Sequence, residues 1–314
     1  MNWPRWNAIS GWVGQANKTM EIDATHLENL VQRQMFEDPS GGIFNKRIML
    51  QFFQMAQNTN MPEKERADVF DLLHVITLKF VSVWTHDQRF HNKEKEMIAA
   101  TEADPIDRRK NVPMRIASGQ ELYIEWDGFL VQSKSVLDHM VKILHYGFGI
   151  KFSNLTSFKD DGNGIIKILN GNVGANPPNK RRAAKLLIKH IQNNQDWLKG
   201  MIEARDRMNH FQHGGMSPMA FGVASIIEKD GVQTLHRPRM TPDQIVKEVM
   251  TTLMNNLLEF IEYFLGISIA VRAPDYAVQW HVTDDPMKLH WEMIHGAIVE
   301  HMIKTGQLDP NKIK

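Results

Sequence analysis

The chain has 314 residues, enough for one large or two modest domains with a real core, and it is 42% hydrophobic and 23% charged, as soluble globular proteins are. A formal net charge of +1 excludes nucleic-acid binding by bulk charge, so any basic footprint has to be local. With no cysteine there is no disulfide framework, thiol nucleophile or thiolate metal site, which suits a reducing compartment.

The N-terminus, Met1-Asn2-Trp3-Pro4-Arg5-Trp6, lacks the basic segment and apolar run of a secretory signal. No stretch reaches the roughly 18 uninterrupted apolar residues of a membrane span. The expectation is a cytoplasmic protein with no membrane partner. Short helices are predicted at 17–36 and 43–58, separated by Pro39-Ser40-Gly41-Gly42. Pro62-Glu63-Lys64-Glu65 reads as a helix start, and Val69, Leu72, Leu73, Ile76, Phe80 and Val83 recur at helical spacing to about Trp84. The polar segment 86–113 then predicts a short helix with loops, closing an N-terminal helical region over 1–112.

From Ser118 an apolar pattern through Phe129, Leu137, Met140 and Leu144 predicts one long helix, ended by Gly147-Phe148-Gly149. A loop rich in Gly, Asn and Pro follows over 151–179, where Ile165-Ile166-Lys167-Ile168-Leu169 fits a helical turn or a strand. A basic helix is predicted over 180–191. Trp197, Met201, Ala204, Met208 and Phe211 form a 4-3-4-3 seam, so 194–213 is the clearest amphipathic helix. Segments 221–227 and 232–235 flank Lys229-Asp230-Gly231, which predicts a β-hairpin near 220–236. Thr241-Pro242-Asp243 supplies an N-cap, a first-position proline and a first-turn acid for a long helix to Gly266. A further amphipathic helix is predicted over 287–302. The fold class is all-α, a helical bundle with a small hairpin insertion, with the core over 113–268 and a helical extension over 269–314.

Chemistry concentrates at the end of the seam helix. Arg205, Asp206, Arg207, Asn209, His210 and His213 stand just before Gly214-Gly215. Arginine offers a fixed, always-charged fork to phosphate oxygens, and histidine trades protons near neutral pH. Those groups suffice to cut a phosphodiester whose nucleophile is a neighbouring hydroxyl, with no metal and no cofactor. On a helix of about 100° per residue, Arg205 and Arg207 take opposite shoulders of the seam. Asp206 and His210 can pair, whereas Arg205 and His210 do not share a face. For both to act on one phosphate, either the helix ends early near Gly214 and swings His210, or a second copy completes the site at a two-fold axis.

Between 162 and 195 there is no acidic residue but there are six basic ones: Lys167, Lys180, Arg181, Arg182, Lys185 and Lys189. The spacing of 181, 185 and 189 makes a ridge opposite Leu187 and Ile191, a footprint for a phosphate backbone beside Arg207 and His213. The plain alternative is a solvated basic face, with a histidine favoured by the helix dipole. Asp138 is placed either to hold an arginine or to cap a backbone group. His281, His290, His295 and His301 lie near Asp284 and Asp285, but spacings of five and six do not put two ligands on one helical face, so no metal site is expected. There is no glycine-rich phosphate loop and no serine nucleophile elbow.

Arg205-Asp206, three further residues and His210 together resemble the Arg–polar–x(3)–His signature of the HEPN superfamily, small all-helical domains that include many metal-independent ribonucleases. The order of helices over roughly 115–265 resembles that family too. The resemblance implies a homodimer with a composite site, in which Arg205 and His210 of both protomers face one RNA phosphate and Asp206 and Asn209 complete the catalytic set. His210 would assist removal of a 2′-hydroxyl proton or protonation of the leaving oxygen. Arg205 would stabilise charge on the phosphorus oxygens, giving a 2′,3′-cyclic phosphate. The resemblance implies a gated effector of defence or stress. It equally admits a non-catalytic scaffold for RNA, or for a protein partner or inhibitor. Some HEPN toxins carry a tyrosine two residues after the histidine, modified by a nucleotidyltransferase antitoxin; this chain has Gln212 there.

Overall fold

The computed structural model describes residues 39–103, 114–117, 119–173, 177–209, 218–227, 233–241, 243–273, 276–280, 291–295 and Lys304. The chain divides into two compact units, Met1–Gly42 and Ile43–Lys314, and every element named below belongs to the second. The helix predicted over 17–36 lies outside the described residues.

The molecule is mostly helical with short antiparallel strands. A π-helical segment, Asn45–Leu50, runs into helix α1 (Gln51–Gln57), as the sequence over 43–58 predicts. Helix α2 (Glu63–Ala103) is 41 residues long and continues well past the expected stop at Trp84. Its apolar stripe resumes at Phe90 and Met97, while Asp87, Glu94 and Thr101 occupy buried positions that alternate with them. Polar residues at core positions hide the helical period, and each needs a partner to be tolerated there. Thr101 bonds back to the Met97 carbonyl at 2.7 Å, Glu94 pairs with Arg237, and Asp87 lies 3.3 Å from His91 Nε2.

Helix α3 (Gln120–Met140) packs along α2, so residues on both sides of 113 share one core. The single helix expected over 118–146 is broken: α4 (Ile143–Phe148) is a separate short helix, reached through a turn at 141–142. It stops at Gly149, whose φ of 73° is left-handed and whose N–H closes on the His145 carbonyl at 2.8 Å.

The run at 165–169 is helical, inside α5 (Asn163–Val173), with Ile165 and Leu169 buried. Helices α6 (Pro178–Asn193) and α7 (Gln195–Asn209) meet at Asn194. The buried stripe of α7 is Leu198, Met201, Ala204 and Met208, and it lies on α3. Trp197 is half-buried because its indole N–H donates to Asn194 Oδ1 at 2.7 Å, so the seam begins one residue later than predicted.

The expected hairpin forms from β2 (Val223–Ile227) and β3 (Gln233–His236), paired from Ala224↔His236 to Ile227↔Gln233. An unforeseen strand, β1 (Met114–Ala117), covers the other edge of β2. The sheet lies on α2, pinned by fully buried Phe221 edge-on to Tyr123 at 5.5 Å. Thr241-Pro242-Asp243 does not open a helix. Strand β4 (Arg239–Thr241) pairs with β5 (Gln244–Ile245), and α8 (Val246–Ala270) starts only after them, the Val246 N–H bonding to the Pro238 carbonyl at 3.0 Å.

Helix α8 is the centre of the unit, touched by α1, α2, α3, α4 and α6. Within the helix expected over 287–302 the described residues form strand β7 (Trp291–His295), antiparallel to β6 (Tyr276–Trp280), and the rest of that range lies outside the described residues. Trp291 dictates this: it is buried on α8, its indole N–H donates to the Glu262 carbonyl at 3.1 Å, and a Cβ at Gly266 would overlap its ring.

Candidate functional site

Helix α6 has two faces of opposite chemistry. Ala183, Ala184, Leu187 and Ile191 are buried. On the other side Arg181, Arg182, Lys185 and Lys189, with Pro178 and Leu186, line a shallow concavity of about 380 Å³. No acidic side chain lies on the helix, and among the described residues none of these four cations has an ion-pair partner. Unpaired charge of one sign on one face raises the local potential although the whole chain is nearly neutral. Lys180 turns the other way. It is half-buried and its Nζ lies 3.5 Å from the Phe148 carbonyl, away from the ridge.

The inner face is held by a histidine that no sequence motif marks. His190 stacks on Phe260, with ring centroids 4.7 Å apart, and lies 4.3 Å from the Tyr263 ring. Its Nε2 bonds to the Phe260 carbonyl at 3.2 Å. Burial pulls its pKa down to about 4, so it is neutral at pH 7 and serves as a packing and hydrogen-bonding group. Asn194 then turns the corner into α7, its amide donating to the His190 carbonyl at 2.8 Å.

At the end of α7, Arg205 Nη1 donates to Asp206 Oδ1 at 2.7 Å. The Arg205 side chain is 33% exposed and that of Asp206 44%, so the pair stands at the surface. Arg205 Nε is buried with no hydrogen-bond partner among the described residues. Arg207 is exposed and bonds its own helix, Nε to the Glu203 carbonyl at 3.3 Å. Asp206, which the spacing offers to His210, is engaged by its neighbour Arg205. Asn209 is the last residue of α7. His210 and His213 lie outside the described residues.

No protein-family model, curated protein or solved structure matches this chain.

Asp138 accepts the Phe158 N–H at 2.7 Å and pairs with Lys134, so it caps a backbone group and, among the described residues, holds no arginine. The polar residues of α2 are paired, although Asp87 Oδ1 makes no hydrogen bond among the described residues. His86 Nδ1 meets Glu125 at 2.7 Å, Asp87 lies 3.3 Å from His91, and Glu94 takes a two-pronged contact from Arg237 at 3.0 and 2.7 Å. Burial pushes the Asp87 carboxyl up, while His91, Gln88 and Lys247 hold it down. The His86–Glu125 and Glu94–Arg237 pairs tie α2 to α3 and to the segment between β3 and β4. Among the described residues no three histidine or carboxylate groups gather as a metal site, and no helix is long and apolar enough to cross a membrane. The histidines at 281, 290 and 301 lie outside the described residues.

Proposed function

We propose that this chain is a metal-independent endoribonuclease of HEPN type, holding RNA phosphates on α6 and cutting at a site that two copies build from Arg205 and His210. The observation that carries the reading is the placement of consecutive helices. α6 bears four cations that have no carboxylate partner among the described residues, and α7, one residue further on, carries the motif arginine at the surface in its last turns. In the reaction the 2′-oxygen forms a bond to phosphorus as the bond to the 5′-oxygen breaks. One imidazole takes the 2′ proton and the other delivers a proton to the departing oxygen. Arg205 carries the charge on the non-bridging oxygens.

A second reading has its own observation. The Arg205–Asp206 pair at 2.7 Å partly neutralises the guanidinium a phosphate would need, which favours a binding module that does not cut. End-labelled RNA incubated in EDTA separates the two. Catalysis predicts cleavage by the wild type, products ending in 2′,3′-cyclic phosphate, and a rate reduced about 100-fold or more in both Arg205→Ala and His210→Ala. RNA that is bound at low salt but intact in every lane leaves only the binding module. RNA neither bound nor cut removes both. Solution mass measurement reports independently on the dimer.

A further inference from the structure

The cations of α6 account for phosphates and leave the bases unassigned. On an α-helix, residues four apart form rows, and residues three apart stand side by side across them. The outer face of α6 carries two such rows inside one concavity. Arg181, Lys185 and Lys189 make a row of charge alone. Pro178, Arg182 and Leu186 make the row beside it, apolar at both ends. The spacings 178 to 181, 182 to 185 and 186 to 189 bring the two rows into contact along their length.

Leu186 is 39% exposed, whereas Leu187 and Ile191 of the same helix are buried. An exposed leucine on its own is ordinary. This one is set apart by its place, at the end of a row that runs beside cations with no carboxylate partner among the described residues. The concavity is therefore charged along one side and mostly apolar along the other. A single nucleic-acid strand is divided in the same way, with phosphates along one edge and open base faces along the other. In a duplex the base faces are covered by stacked neighbours, and the apolar row would meet nothing that suits it.

We propose that α6 takes single-stranded RNA, with phosphates on Arg181, Lys185 and Lys189 and an unpaired base laid on Leu186 beside Arg182. The proposal rests on the RNA-binding part of the function above and adds the substrate class. The face of a base covers the leucine, and the planar guanidinium of Arg182, one turn away, stacks on the next base. From Arg181 to Lys189 the charged row is about 12 Å long at the α-helical rise, enough for a few nucleotides. Only Arg182 in the second row can hydrogen-bond a base edge, so little preference for sequence is expected.

The test uses a short 2′-O-methyl RNA, which cannot be cut by 2′-hydroxyl attack, as a single strand and as a blunt duplex, beside an abasic strand of equal length and charge. Binding is read by fluorescence anisotropy at low salt. The wild type should hold the base-bearing strand at least about threefold more tightly than the abasic one. Leu186→Ala suits a helix and removes no charge. It should weaken the base-bearing strand by about the same factor and leave the abasic strand and the duplex within about 1.5-fold. Leu186→Met, which keeps an apolar side chain of similar size, should bind as the wild type does. If Leu186→Ala binds the single strand undiminished while Arg181→Glu with Lys185→Glu loses it, the base contact is wrong and the ridge stands. An equal loss on all three forms also overturns the base contact. A peptide of glutamate and leucine that outbinds the strand, with the same dependence on Leu186, would assign the concavity to an acidic protein instead. If the wild type binds none of the three forms, the base contact and the RNA-binding function fall together.

Discussion

Glu262 is fully buried on the central helix, where an unpaired carboxylate would be untenable. Burial pushes its pKa up, and Arg47 pulls it back through two bonds, Nε to Oε1 at 2.8 Å and Nη2 to Oε2 at 2.5 Å. Gln51 adds a third at 3.2 Å. This contact joins the first helical segment to α8 across 215 residues of sequence, so it fixes where that segment docks. Breaking such a pair from one side leaves a charge stranded, whereas replacing both partners by apolar groups does not. Arg47→Met is therefore expected to destabilise the protein by about 3–5 kcal/mol in urea unfolding, and Arg47→Met with Glu262→Leu to recover most of that loss. A double variant no more stable than the single one would show that geometry, and not charge, dominates here.

Helix α6 joins binding to folding, because its outer face carries the ridge and its inner face carries His190. The folded pKa of His190, about 4, lies below the ordinary 6.5, so the unfolded chain takes the proton first. Its contribution is complete above pH 6.5 and is lost as pH falls toward about 4. At pH 5 the loss relative to neutral pH comes to about 2 kcal/mol. His190→Phe keeps a ring against Phe260 but cannot titrate. The stability gap between wild type and variant should close by about that amount between pH 7 and pH 5, read from urea midpoints; parallel profiles would refute the assignment. The same element shows what a sequence discloses. The basic ridge of α6, the stripe of α7 and the hairpin β2–β3 follow from spacing and turn residues, which act locally. The length of α2 does not, because Asp87 and Glu94 look like surface residues until His91 and Arg237 are seen against them. Strand β7 is equally hidden: Trp291 sits at a helical spacing in sequence, and only the groove made by Gly266 on α8 decides its state. His190 is legible only once Phe260 and Tyr263 are beside it.

At the scale of the molecule, 37 basic and 36 acidic residues nearly cancel, so attraction of RNA from a distance is weak and binding depends on how charge is distributed. The acids Glu65, Asp68 and Asp71 gather at the start of α2, while the unpaired cations stand on α6. This predicts a salt dependence set by the ridge and not by net charge. Neutralising four phosphates releases counterions from a single strand with a log–log slope of about −0.7 per contact, or about −3 in all. Affinity for an unpaired RNA should then fall about 50-fold between 50 and 200 mM salt, by the same relation. Arg181→Gln with Lys185→Gln removes two of the four charges and should roughly halve the slope, whatever the RNA sequence. Parallel lines for the ridge variant, or a wild-type slope near zero, would place the RNA-binding surface somewhere other than α6.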